Sequence, residues 1–254
     1  MPATDTPAAF YDGLAPHYHL LYADWEGSVD RQGAALAALL AELGVHPGDR
    51  VLDAACGIGT QTIGLALRGY AMSGSDLSPG AVERARAELT QRGLSAPVAV
   101  ADLRTLGTAG EPFAAVLACD NAVPHLLTDA EILAAFRSCH GALRPGGALV
   151  LSVRDYAVVP RQAPTVQPYG LRRDGDRRVV AVQAWEWDGD HYDIRLYLTT
   201  DNAGVCTTHV LHSRYYAVST ARLLELMTEA GFARVERRDG VLFQPVLVGL
   251  RGAT

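Results

Sequence analysis

The chain has no lysine; every one of its 22 basic residues is an arginine. That absence removes the Tyr-x-x-x-Lys arrangement on which one class of nicotinamide oxidoreductase relies. Cysteine is scarce, and Cys56, Cys119, Cys139 and Cys206 show no paired spacing, so they read as reduced thiols rather than a disulfide framework. No His-Glu-x-x-His run and no clustered Cys/His pattern occurs, and no metal is expected. No apolar run reaches the roughly 20 residues of a membrane span, and Met1 to Phe10 lacks the basic start and apolar core of a signal peptide. A cytoplasmic protein with no membrane partner is the expectation. Basic charge is in deficit too. With a net charge of −6 the chain lacks the concentrated positive surface that nucleic acid requires. Its one basic cluster, Arg172, Arg173, Arg177 and Arg178, is interrupted by Asp174 and Asp176 and reads as a solvated loop.

What is present suits a folded α/β protein. At 254 residues, 49% hydrophobic and 20% charged, the chain can bury the core of one large domain with an insertion. Arg50 to Thr60 organises the rest. Val51 and Leu52 end a buried strand, Asp53 closes it, and Gly57 and Gly59 make a tight turn whose backbone can approach a ligand closely. A helix then starts at Thr60, with its amide-rich end facing the loop. The dinucleotide fingerprint would place a third glycine where Thr62 stands, and an acid at the strand end suits an ammonium better than a pyrophosphate.

Around this loop the chain alternates strands with capped helices. Residues 1–9 read as a frayed tail, and Phe10 to Trp25 as a leader rich in aromatics and histidines. Ser28 is the predicted cap of a helix from Val29 to Leu43. Strands are expected at Tyr70–Asp76, Val98–Ala101, Phe113–Cys119 and Ala148–Val153. Helices are expected after Ser78-Pro79 and after the capping box Thr128–Glu131. Arg144-Pro145-Gly146-Gly147 reads as the stop of the second helix. Alternation of this kind predicts a doubly wound, mostly parallel sheet. From Val179 to Tyr216 the pattern becomes antiparallel, with turns at Trp185–Tyr192 and Asn202–Gly204. Ser219 then caps a helix, and Phe232–Arg237 and Val241–Leu250 supply two closing strands. The expected organisation is a lid over 1–27, a cofactor-binding core over 28–156, a substrate-side insertion over 157–217, and completion of the core sheet over 218–254.

Ligands of such sheets bind at the carboxyl ends of the strands. Asp53, Asp76, Asp102 and Asp120 all fall there. Asp76, 17 residues after Gly59, can accept from both hydroxyls of a ribose, and Asp102 from an adenine amino group with Leu103 on the ring.

Val51 to Thr60, Val-Leu-Asp-Ala-Ala-Cys-Gly-Ile-Gly-Thr, resembles the first motif of the class I S-adenosylmethionine-dependent methyltransferases. The resemblance implies a Rossmann-like sheet of about seven strands with a reversed last strand. It also implies S-adenosylmethionine as cofactor, S-adenosylhomocysteine as product, and a small-molecule substrate handled by a monomer or homodimer. Carried onto this chain, Asp53, Ala54, Gly57 and Gly59 belong to the loop, Asp76 and Leu77 to the ribose, Asp102 and Leu103 to the adenine. Asp120 completes the cofactor set. A nicotinamide-dependent oxidoreductase and a non-catalytic ligand-binding protein are the rival readings of the same loop.

The leader is similar to that of the glycine and sarcosine N-methyltransferases, in which aromatics cover the cofactor. In that likeness Tyr18, Trp25 and Arg31 face the cofactor, and Tyr22 the substrate. Val153-Arg154-Asp155-Tyr156 resembles the same branch's carboxylate-binding arginine with a tyrosine two places on, which puts Arg154 and Tyr156 on the substrate by a planar fork. Asn121 and Tyr216 are further substrate candidates, with Tyr215 and Tyr216 on opposite faces of one strand. His125 reads either as a base titrating near neutrality or as a residue packed beside the cofactor, with Tyr18, His17 and His19 as the other catalytic candidates. The implied reaction is N-methylation of a small amine or amino acid. The alternative is N-, O- or C-methylation of a larger indole or phenol natural product, with Trp185, Trp187 and Tyr216 as apolar walls.

Overall fold

The computed structural model describes residues 6–107, 110–161 and 165–253; residues 1–5 of the expected tail lie outside them. Helix α1 (Pro7–Leu14) starts where a frayed end was expected. Thr6 accepts from the Ala9 amide at 3.2 Å, Pro7 occupies the first turn, and Phe10 and Leu14 are buried. Asp12 on α1 accepts from the Gly80 amide at 2.8 Å, which ties the leader to the core. After a single 3-10 turn at Tyr18–Leu21 comes α2 (Trp25–Glu42). Its cap is Asp24, which accepts from the Gly27 amide at 2.9 Å, and not Ser28, which sits inside the first turn and donates back to the Asp24 carbonyl. A carboxylate at a helix N-terminus also meets the dipole, which favours Asp24 over the serine.

The core follows as β1 (Arg50–Asp53), α3 (Thr60–Ala66), β2 (Ala71–Asp76), α4 (Pro79–Gln91), β3 (Val98–Val100), β4 (Phe113–Ala118), α5 (Asp129–Ala142) and β5 (Leu143–Ser152). The strands β6 (Thr165–Asp174), β7 (Arg177–Asp188), β8 (His191–Asn202) and β9 (Val205–Tyr216) form a second unit. The chain closes with α6 (Thr220–Glu229), β10 (Phe232–Arg238) and β11 (Val246–Arg251). Among the described residues one sheet has seven strands in the order β10-β11-β5-β4-β1-β2-β3, and the other has four in the order β6-β7-β8-β9. The first is parallel apart from β11, which runs antiparallel to both β5 and β10. From β1 the chain moves to β2 on one side and later returns to β4 on the other. The carboxyl ends of β1 and β4 therefore flank the crevice where such sheets take their ligands.

Three expectations shift. β5 begins at Leu143, so Arg144-Pro145-Gly146-Gly147 lies within its irregular start, where the pairing with β4 slips by three residues. β11 begins at Val246 rather than Val241. The arginine cluster is not a solvated loop: it spans the β6–β7 hairpin, and Arg172 donates to the Tyr22 carbonyl at 2.8 Å, holding the second sheet against the leader.

The helix that carries the glycine loop is fixed by close backbone approach. A Cβ on Gly64 of α3 would lie 2.6 Å from the Val29 carbonyl oxygen and 2.9 Å from the Gly33 Cα of α2. Gly64→Ala must push the helices apart, and we expect a loss of about 1–3 kcal/mol. A lower urea midpoint at unchanged slope is the readout, and an unchanged midpoint would show that the contact is slack.

Candidate active site

At the carboxyl edge of β1, β2 and β4 lies a cavity of about 560 Å³. Ala54, Gly57, Asp76, Leu77, Asp102, Leu103, Asp120 and His125 line it, together with Tyr11, Tyr18 and Tyr22 from the leader. Gly57 (φ 53°) needs the left-handed freedom of glycine, and an added Cβ would come within 3.3 Å of the Tyr18 ring. The leader thus packs directly on the loop. The Asp76 carboxylate is held by two amides, those of Gly57 and Ser78, each at 2.9 Å. Burial raises its pKa despite those bonds. Asp102 differs: Arg104 donates to it from backbone and guanidinium at 2.6–3.1 Å and holds its pKa low.

A second cavity, of about 460 Å³, adjoins the first and shares Tyr11, Tyr18, Tyr22 and Asp120 with it. Its far wall belongs to the four-stranded sheet and the end of β5: Arg154, Tyr169, Tyr192, Ile194 and Tyr215. Burial raises the pKa of Tyr11, Tyr18, Tyr22, Tyr169, Tyr192 and Tyr215, so these hydroxyls are neutral hydrogen-bonding groups. Apart from tyrosines, the titratable residues lining this cavity are Asp120 and Arg154. The Arg154 guanidinium lies 4.5 Å from the Trp185 ring and donates to the Tyr192 hydroxyl at 3.2 Å. No carboxylate pairs with it among the described residues. Asn121 links the two walls, accepting from the Arg154 amide at 3.0 Å and donating to the Tyr156 hydroxyl at 2.8 Å.

Several residues singled out in the sequence lie elsewhere. Asp53 is fully buried, accepts from the Thr62 hydroxyl at 2.7 Å and does not line either cavity; it ties α3 to β1. Gly59 (φ 97°) caps α3 from behind the loop. Trp25 is buried, with its indole N–H on Thr60 at 2.9 Å. Arg31 lies on the surface with Asp24 and Ser28. Tyr156 sits behind Asn121, with its hydroxyl 2.8 Å from that of Tyr192. Tyr216 stacks on His191 and donates to Asp129, while its neighbour Tyr215 faces the cavity. His17 stacks on His209 outside both cavities. Trp185 and Trp187 also lie outside them, packed against Tyr192.

His125 lines the first cavity but does not titrate near neutrality: burial pushes its pKa down to about 3 and keeps the imidazole neutral. Its Nε2 is 2.9 Å from the Tyr11 hydroxyl and its ring lies 4.0 Å from that of Tyr215, so it fixes two wall tyrosines. The sequence did not single out Tyr11, Gln61, Tyr169 or Tyr192. Tyr192 pairs with Tyr215 across β8 and β9, rings 5.2 Å apart and nearly parallel, a juxtaposition that only the strand register reveals.

Asp53 also makes stability depend on pH. Burial, with Asp76 and Asp120 nearby, raises its pKa to about 7. The fold therefore favours the protonated acid. Its contribution is complete below the ordinary carboxylate value and is lost as the pH climbs through about 7. Relative to Asp53→Asn, the parent chain should lose on the order of 3 kcal/mol of unfolding free energy between about pH 5 and 8. Denaturant titrations at both ends check this; parallel pH profiles would mean that the carboxyl ionises normally.

Residues 51–147 match the Methyltransf_25 family, described as a methyltransferase domain. Curated relatives include an uncharacterised protein of Mycobacterium bovis, 30% identical over 172 residues, or 65% of this chain and 60% of that protein. A glycine/sarcosine N-methyltransferase of Parasynechococcus marenigrum is 27% identical over 84% of this chain and 72% of its own length. The chain thus spans 60% of the length of the first of these relatives. Among solved structures, Streptomyces venezuelae DesVI superposes with a TM-score of 0.81 at 24% identity, covering 94% of this chain and 98% of that one. SAM-bound CalS10, an amino pentose methyltransferase of Micromonospora echinaspora, gives 0.76 at 23%, covering 88% and 92%. Residues 51–147 are thus similar to a methyltransferase domain, and the solved structures share the fold of this chain. No helix among the described residues is long and apolar enough to cross a membrane.

Proposed function

We propose that the methyltransferase domain serves an S-adenosylmethionine-dependent N-methyltransferase whose acceptor is a small amine that also carries an acidic group. The observation that supports this best is the junction of the two cavities. One is edged by acids at strand ends; the other holds a carboxylate and a guanidinium with no carboxylate partner among the described residues, set among neutral tyrosines. The first cavity fits a cationic cofactor. Asp76 and Asp120 have their pKa raised by burial, so a positive ligand relieves a strain that a pyrophosphate would worsen.

When bound, S-adenosylmethionine supplies a methyl group on a sulfonium sulfur for in-line displacement. Asp76, immobilised by the Gly57 and Ser78 amides, would take the ribose hydroxyls; Leu77 and Leu103 would flank the nucleoside, with Asp102 at the adenine. Tyr11, Tyr18 and Tyr22 close the mouth and keep water out. Arg154 orients the acceptor through its acidic group, and positioning of this kind supplies much of the acceleration in a displacement.

An amino-sugar acceptor, the kind named for CalS10, is the second reading, since an amine fits the same cavity and tyrosine faces suit a sugar ring. The aromatic-metabolite reading draws less support because its expected walls, Trp185, Trp187 and Tyr216, are outside the cavity. Labelled methyl transfer decides among these. Small amino acids, amino sugars, phenols and indoles should be offered side by side, and the label should go to an amine bearing an acid. Label on phenols or indoles alone would reverse the ranking.

A further inference from the structure

Three consecutive residues of α1, Tyr11-Asp12-Gly13, each meet a different part of the molecule. Successive residues of an α-helix point roughly 100° apart, so one turn can hold three such anchors. The Tyr11 hydroxyl lies 2.9 Å from Nε2 of His125, after β4. Gly13 packs on β9, where a Cβ would fall 2.6 Å from a Leu211 methyl. Asp12 reaches the start of α4. One oxygen of its carboxylate accepts from the Ser78 hydroxyl at 2.5 Å and from the Gly80 amide at 2.8 Å. The approach is tight, since a Cβ on Gly80 would lie 3.1–3.4 Å from Asp12 atoms.

Ser78 is fully buried and serves two carboxylates at once. Its hydroxyl donates to Asp12, and its amide donates to Asp76 at 2.9 Å. Asp76 also holds the Gly57 amide. A chain of hydrogen bonds therefore runs from the glycine loop through Asp76 and Ser78 to the leader. That leader supplies Thr6, Pro7, Tyr11, Tyr18 and Tyr22 to the wall of the first cavity. Asp12 itself lines neither cavity, so it can act only through its partners.

We infer, on the methyltransferase reading above, that Asp12 is a positioning residue that latches α1 to the cofactor cavity and sets how fast the cofactor leaves. A ligand on Asp76 departs when the leader wall moves aside, and moving it breaks both Asp12 bonds. The buried Ser78 hydroxyl is then left without its acceptor, which is costly. Removing the carboxylate removes that cost of opening, and the leader opens more often. The coupling is reciprocal: a ligand that fixes Asp76 also fixes Ser78 and helps to hold the leader down.

S-adenosylhomocysteine is the probe, and release of the labelled compound into excess unlabelled ligand gives the rate. Asp12→Ala should release it at least tenfold faster than the parent chain, with the association rate changed less than threefold. Asp12→Asn should stay within about threefold of the parent, because the Ser78 hydroxyl and the Gly80 amide both donate and need only an acceptor oxygen. A residue that merely braces the fold would lower the urea midpoint of the unliganded protein and leave the release rate where it was. Release at the parental rate from Asp12→Ala would therefore overturn the assignment. Equally fast release from both variants would overturn it too, and would trace the effect to charge beside Asp76 rather than to the two bonds. A parent chain that binds no S-adenosylhomocysteine sinks the methyltransferase reading itself, and the latch with it.

Discussion

Asp76→Ala should bind S-adenosylhomocysteine at least a hundredfold more weakly than the parent chain. The side chain lines the cofactor cavity with both oxygens braced by amides, of Gly57 and Ser78, and with lone pairs still available to a ribose. Two hydrogen bonds to a charged acceptor are each worth about 1.5–3 kcal/mol, and about 3 kcal/mol in total already exceeds a hundredfold. Calorimetric titration measures this directly. The variant should remain folded, because the sheet hydrogen bonds around residue 76 belong to the backbone. Unchanged affinity in a folded variant would remove Asp76 from the ribose and with it the placement of the nucleoside.

Arg154→Lys should raise the acceptor's KM tenfold or more while S-adenosylhomocysteine affinity stays where it was. Lysine keeps the charge but lacks the planar fork that sits over the Trp185 ring, 4.5 Å from its centroid. The separation of effects follows from the map of the site, since Arg154 lines the second cavity and not the first. A KM that does not move would mean that the acceptor presents nothing to the guanidinium, and the amino-sugar reading would then lead.

How much of this was legible beforehand follows from the range over which each signal acts. The glycine loop and the acids at the strand ends are local, so Gly57, Asp76, Leu77, Asp102 and Leu103 are found at one cavity as their spacing suggested. Asp53 shows the limit of that argument. The same position at a strand end lets a carboxylate turn into the core once Thr62 offers it a hydroxyl. Arg31 fails for a related reason: Asp24 and Ser28, close by on the same helix end, engage it at the surface. The acceptor cavity was less legible. Its walls come from α1, the end of β5 and all four strands of the second sheet, brought together by pairings such as Tyr192 with Tyr215. His125 was visible as a residue, but its protonation is decided by the rings that bury it, Tyr11 and Tyr215, which are 114 and 90 residues away in sequence.

On this reading the transferred methyl arrives on an amine nitrogen. Matched acceptors test it most directly: each carbon skeleton from the panel offered once with an amino group and once with a hydroxyl in its place, with labelled S-adenosylmethionine as donor. Label is expected in the amino member of the pair, located on nitrogen by mass spectrometry, and none in its hydroxyl twin. Equal or greater labelling of the hydroxyl compound, or label on carbon, would contradict it.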